Sequence, residues 1–151
     1  MMMERRQKEN AMEVTLLEML EARERRALRQ QALRNQYGKA MVSFTMNIAG
    51  PVKNSPLIRR GYALGKKLLR QQLSVAGIRA AYFEEIQENT GNEAILLLDA
   101  DPLAVKQVTV EIEDYAPIGR LFDMDVLCPD GRKVDRQELG REGRKCLICG
   151  G

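Results

Sequence analysis

The alternation of apolar and polar positions divides the chain into a short series of elements. Residues 1–13 are mostly polar and lack a period, which predicts a flexible lead-in. Thr15-Leu16-Leu17-Glu18 has the form of a capping box, with Val14 and Met19 placed as a hydrophobic staple. The spacing predicts a helix from there to about Gln36, with Gly38 as its stop. Its second half is rich in Arg and Gln and offers only Ala27, Leu28, Ala32 and Leu33 as an apolar face, which predicts a surface position. From Met41 to Ile48 the period changes to two. Val42, Phe44, Met46 and Ile48 point one way and Ser43, Thr45 and Asn47 the other, as in a half-buried strand.

Gly50 to Asn54 reads as a loop. Ser55 suits an N-cap and Pro56 a first helical position, so a helix is expected from Pro56 to Ala76, with Leu57, Gly61, Leu64 and Leu68 as its stripe. Ile78–Ile86 and Glu93–Asp99 read as strands joined by the turn Asn89-Thr90-Gly91-Asn92. Residues 103–114 satisfy two templates. Val108, Val110 and Ile112 alternate, yet Val105, Val108, Thr109 and Ile112 share a helical face, and the Asp101-Pro102 start favours helix. Leu121–Leu127 is a strand, Asp130-Gly131 a turn, and residues 128–151 a C-terminal hairpin with a Cys-bearing tail. The order is a helix, then β-α-β-β-α-β, then the tail, within a single domain over residues 1–151. That order predicts an α+β fold of the ferredoxin-like, split β-α-β kind, with a nucleotidyltransferase-like mixed sheet as the alternative.

Composition narrows the chemistry. The chain has no histidine, so Ser-His-Asp and Cys-His machinery and His-ligated metals are excluded. A general base must be a carboxylate, Lys, Tyr, Cys or a metal-bound hydroxide. No apolar run approaches the roughly 20 residues of a membrane span, and the charged N-terminus lacks the apolar core of a secretory signal. Three cysteines, two of them in a C-x-x-C, predict a reduced, cytoplasmic protein.

The net charge of +3 conceals a segregation. Residues 25–83 carry twelve bases and no acid, and residues 84–130 carry twelve acids with only Lys106 and Arg120 as bases. Two outcomes are open. The cationic half may be counted on to face an anionic partner, or the two halves pack together and neutralise each other.

Three features carry candidate chemistry. Asp123 and Asp125 lie two apart in a strand, so both carboxylates project from one face. Such a pair repels unless a cation intervenes, and Mg²⁺ takes one or two carboxylates together with substrate phosphates. The plain alternative is that one Asp pairs with Arg120 or caps a turn. The loop Gly50–Asn54 leads from a strand into a helix N-terminus that suits an anion, with Lys53, Arg59 and Arg60 adding charge. Solvated bases on an ordinary connection are the alternative there. Cys146 and Cys149 form a C-x-x-C that suggests a structural metal or a redox pair. A structural Zn²⁺ needs four ligands, and this chain adds only Cys128 from its cysteines. Nucleic-acid binding ranks below a phosphorylated small molecule, because aromatics total 5% and no RNP or helix-turn-helix pattern is present.

Taken together, three segments resemble the signatures of the apo-citrate lyase phosphoribosyl-dephospho-CoA transferase (holo-citrate lyase synthase-type) family. They are Val42–Ser55, Pro117–Val126 and Arg144–Cys149, in the family's order. The resemblance implies transfer of a phosphoribosyl-dephospho-CoA group from 2′-(5″-triphosphoribosyl)-3′-dephospho-CoA to a serine of the citrate lyase acyl carrier (gamma) subunit, with release of pyrophosphate. On that basis Asp123, Asp125 and Arg120 are expected at the reacting centre, with Asp123 and Asp125 on Mg²⁺. Lys53, Asn54, Ser55, Arg59, Arg60, Gly119 and Arg136 are expected to bind substrate, and the basic helix surface to receive the acidic carrier. The chain departs from the family in having Asp135-Arg136 where Ser-Arg is usual. Family members also tend to continue past the C-x-x-C with another Cys and basic residues, whereas this sequence stops at Gly151. The rival reading, from a different class, is a non-enzymatic ferredoxin-like module that binds nucleic acid or nucleotide. Strongly salt-dependent RNA affinity without magnesium-dependent transfer would mark it.

Overall fold

The computed structural model describes residues 12–140. Its elements are α1 (Leu16–Tyr37), β1 (Ala40–Met46), α2 (Pro56–Val75), β2 (Arg79–Glu88), β3 (Gly91–Asp99), α3 (Pro102–Tyr115) and β4 (Phe122–Leu127). Short 3₁₀ turns occupy Gly119–Leu121 and Arg136–Leu139. The four strands form one sheet in the order β2-β3-β1-β4, with every neighbouring pair antiparallel. The α+β class and the β-α-β-β-α-β order follow the sequence pattern. The expected flexible start and the Cys146–Cys149 tail lie largely or wholly outside the described residues.

Local chemistry sets the helix starts. Thr15 accepts from the Glu18 N–H and Glu18 returns a bond to the Thr15 N–H, which completes the capping box. Ser55 caps α2 ahead of Pro56, and Asp101 caps α3 ahead of Pro102. Residues 103–114, which fit both templates, are therefore helical.

α2 and α3 cover one face of the sheet. Val42, Phe44, Leu96, Phe122, Met124 and Val126 project into this layer and meet Tyr62, Leu69, Val105 and Ile112. Phe44 stacks on Tyr62 at 5.3 Å and meets Phe122 edge-on at 5.6 Å. The buried stripe of α2 is Tyr62, Gly65, Leu69 and Leu73; of the expected stripe, Leu64 and Leu68 pack beside it, partly buried, and Leu57 does not. Leu57 is 76% exposed. Gly65 explains the rotation. A Cβ there would lie 2.5 Å from the Phe44 ring and 2.9 Å from the Phe122 ring, so its absence lets both rings press on the helix.

α1 covers the opposite face, which corrects the expected surface position of its second half. Leu33 is buried against Met41, Ile95, Leu97 and Leu127. Gln30 donates to the Ser43 hydroxyl at 2.9 Å. β1 is accordingly buried on both faces over Ala40–Phe44, where a half-buried strand was expected. Most of the cover is polar. Arg25 and Arg26 both bond Glu93, at 3.0 and 2.9 Å, and Arg29 grips Glu84 at 2.6 Å.

Candidate active site

β4 is an edge strand, and its alternation sorts its side chains. Phe122, Met124 and Val126 enter the core. Asp123 and Asp125 therefore project from the other face, opposite Thr45 and Ser43 of β1. α1 covers the Leu33 end of that face, and two clefts open beside it. The first, about 390 Å³, lies at the outer edge of β4 and includes Lys106, Glu113, Asp125, Lys133 and Arg136 in its lining. The second, about 340 Å³, lies between the first turns of α1 and the β1 end, and includes Arg23, Arg26, Thr45, Asn47 and Lys53. Asp123 lines both.

The carboxylates are differently placed. Asp125 accepts an ion pair from Lys133 Nζ at 3.0 Å. Asp123 has no ion pair among the described residues. Withdrawal from water, then the adjacent charge and hydrogen bond of Asp125, push the Asp123 carboxyl up to about 6. The bond to Asp125 in turn holds Lys133 above its ordinary value.

A second layer holds β4 in place. Glu113 of α3 is buried and uses both oxygens. Its Oε2 accepts the Met124 N–H, between the two aspartates, at 2.8 Å. Its Oε1 accepts from Arg136 Nη2 at 2.7 Å, and Arg136 Nη1 reaches Asp114 at 2.9 Å. A carboxylate thus caps the free edge of the strand that carries the acids, and a buried guanidinium holds that carboxylate.

The other expected residues fall into several groups. Lys53 lines the second cleft with Asp123, and its ammonium donates to the Ile48 carbonyl at 2.6 Å. Asn54 is buried and exchanges two 3.0 Å hydrogen bonds with Asn92, so it ties the loop to the β2–β3 turn. Ser55 caps α2. Arg59 and Arg60 sit on the first turn of α2 and line neither cleft. Gly119 packs so closely on the end of α3 that a Cβ would lie 2.6 Å from the carbonyl oxygens of Ile112 and Glu113. Arg120 follows it on the exposed side of the turn. Asp125 pairs with Lys133, not with Arg120. Cys128 is buried and free. Among the described residues no group of three or more Cys, Asp and Glu could hold a metal ion, and Cys146 and Cys149 lie outside them.

Sequence reasoning missed Lys106, Glu113 and Lys133. The first two had a signal. Lys106, Thr109 and Glu113 are spaced by three and four, which places them on one helix face beside Val105 and Ile112. Charged residues inside an apolar stripe point to buried chemistry.

Half of the bases in the cationic stretch pair with acids inside the fold. Arg25, Arg26, Arg29, Lys39, Lys66 and Arg79 of the basic stretch all pair with Glu84, Glu85, Glu93 or Asp99 of the acidic one. On α1, Arg25, Arg26 and Arg29 turn their charge to Glu84 and Glu93 of the sheet.

The donor set fits Mg²⁺ with phosphate co-ligands and does not fit an all-protein cage. Two adjacent carboxylates, Asp123 and Asp125, are oxygen ligands of the kind that ion takes.

A family model described as apo-citrate lyase phosphoribosyl-dephospho-CoA transferase matches residues 14–151. The chain is 34% identical over 136 residues to a protein of that name from Citrobacter koseri, covering 90% of this chain and 74% of the relative. Relatives of the same name from Escherichia coli O1:K1 and Shigella boydii serotype 18 are 33% and 32% identical over the same shares. The chain belongs to the apo-citrate lyase phosphoribosyl-dephospho-CoA transferase family. Two of the segments that carry the resemblance meet in the fold. Val42–Ser55 supplies most of β1 and the loop after it, Pro117–Val126 supplies the 3₁₀ turn and β4, and the two strands are neighbours in the sheet. The transferase's paired aspartates thus stand opposite Ser43 and Thr45 of the first signature. Among the described residues no helix is long and apolar enough to cross a membrane.

Proposed function

We propose that this chain transfers the phosphoribosyl-dephospho-CoA group of 2′-(5″-triphosphoribosyl)-3′-dephospho-CoA to a serine of the citrate lyase acyl carrier subunit, releasing pyrophosphate. The observation that carries this reading is the pair Asp123 and Asp125, set side by side where two clefts meet, in a chain of this family. The serine Oγ forms a bond to the phosphorus next to the ribose, and the bond from that phosphorus to the pyrophosphate oxygen breaks. The serine proton passes to the Asp123 carboxylate, which lines both clefts and has no ion pair among the described residues, and from there to water.

Such an in-line displacement needs positioning and charge neutralisation more than covalent help from the protein. Lys53, in the same cleft as Asp123, is placed to hold a donor phosphate. Arg59, Arg60 and Arg120 are further candidates from the family pattern. Arg136 is committed to Glu113 and Asp114 and acts by positioning β4. Asp123 and Asp125 are the residues that would hold Mg²⁺, which when bound neutralises phosphate charge. A reduced, cytoplasmic setting suits both citrate lyase and the free Cys128 thiol.

The test is to incubate apo-citrate lyase, the triphosphoribosyl donor and Mg²⁺ with the protein. The expected result is a mass gain on one serine of the carrier subunit, with one pyrophosphate released per modification and no gain in the presence of a chelator. An unmodified carrier subunit would contradict the reading.

A further inference from the structure

Lys106 is a charged group that the transfer reading has not used. It is only 5% exposed, on the α3 face turned toward β4, and it lines the cleft that holds Asp123 and Asp125. Its ammonium forms no hydrogen bond or ion pair with any described residue. It is not sealed away either, since no buried side-chain nitrogen or oxygen among the described residues lacks a partner. The stem is therefore buried and the tip opens into the cleft.

A buried ammonium without a partner is costly to hold. Burial indeed lowers the affinity of Lys106 for its proton. Glu113 and Asp125 offset that cost only in part, by charge across the cleft, because their oxygens bond elsewhere. Glu113 is taken by Arg136 and the Met124 N–H, Asp125 by Lys133, and Asp135 by the capping of its own 3₁₀ turn. What remains is a carboxylate, Asp123, and an ammonium, Lys106, that share a cleft and each lack a contact ion pair with any described residue. A metal–polyphosphate complex complements that pattern, since its cation and its oxygens answer the two charges separately.

We propose that this cleft is a polyphosphate subsite in which the Lys106 ammonium binds a phosphate oxygen. The chemistry is shared by the triphosphate of the donor and by the pyrophosphate it leaves. The subsite takes its ligand from the transfer reading, and it assigns the leaving-group side of the reaction to the β4 edge. The carrier hydroxyl then approaches Asp123 from the second cleft.

The experiment uses the full chain with Mg²⁺ and measures binding of inorganic pyrophosphate and tripolyphosphate by calorimetry. Wild type is compared with Lys106→Met and Lys106→Gln, each melted in parallel, so that the outcome does not depend on one variant folding. Loss of a hydrogen bond to a charged group predicts roughly 10- to 100-fold weaker binding in both variants. Their melting temperatures should stay close to that of wild type, because the ammonium makes no hydrogen bond or ion pair that either variant breaks. A stronger loss for tripolyphosphate than for pyrophosphate would assign the subsite to the donor, and the reverse to the product. Variants that bind as tightly as wild type, or a wild type that binds neither anion, would overturn the subsite. Transfer to apo-citrate lyase is scored separately. Polyphosphate held through Lys106 by a protein that transfers nothing would contradict the transfer reading and leave the subsite standing.

Discussion

The two faces of the sheet are built from alternate residues of the same strands, yet they do different work. Under α2 and α3 the contacts are apolar and aromatic, and the packing is close enough that one glycine decides which stripe of α2 faces inward. Under α1 the apolar contact shrinks to a small cluster around Leu33, and the rest is Arg–Glu pairing and open cleft. The lesson lies in β4. Phe122, Met124 and Val126 anchor the strand in the core and so fix the position of Asp123 and Asp125 on the side where packing is loose enough to admit a ligand. A charged pair of this kind is unfavourable in itself, and the apolar face opposite it supplies the stability that keeps it in place.

That contrast can be broken from either side. The largest expected effect is on the apolar face. Phe44→Ala removes a ring packed on both Tyr62 and Phe122, and should cost about 3–5 kcal/mol in denaturant unfolding. A loss under 1 kcal/mol would show that the ring cluster does not dominate the core. Next comes Gly65→Ala, which forces a methyl group into the Phe44 and Phe122 rings and should cost about 1–3 kcal/mol. An unchanged melting temperature would mean that α2 can roll to another stripe at no cost.

Under α1 the effects should be small. Arg29→Ala deletes an exposed, solvent-screened pair with Glu84 and should shift the same unfolding curves only slightly, and less at high salt than at low. The pH dependence sharpens the contrast within this face. Arg29 beside it holds the Glu84 carboxyl below its ordinary value, so its contribution is present above the usual Glu range and is lost as pH falls through the lowered value. Asp123 has the opposite sign. Its value is raised to about 6, so its ionisation opposes folding at neutral pH, and the penalty fades as pH falls below about 6. Melting temperature should therefore hold or rise slightly from pH 7 to pH 5 and drop only in more acid solution. A steady fall from pH 7 downward would contradict the strained pair.

Much of the fold was legible because its signals are local. Thr15 with Glu18, Ser55 with Pro56 and Asp101 with Pro102 announce helix starts, and the turn near Asn89 announces a hairpin. The place of α1 was not legible. Its cover of the sheet rests on Arg25 and Arg26 meeting Glu93, 68 and 67 residues away, and no periodicity in the helix itself encodes a partner that distant. At the site, the Asp-x-Asp spacing placed two carboxylates on one face of a strand, and the structure keeps them there. Arg136 was legible as a residue but not as the brace of Glu113, because that role exists only once the chain after β4 folds back over α3. Lys106 was passed over as the lone base of an acidic helix, although its place in the apolar stripe marked it.

The most direct test of the division between the faces is Asp123→Asn, with transfer to apo-citrate lyase and thermal stability measured on one preparation. The prediction is a fall in transfer of about 10²-fold or more, with a melting temperature equal to or above that of wild type. Transfer at the wild-type rate, or a loss of activity that only tracks a loss of stability, would contradict it.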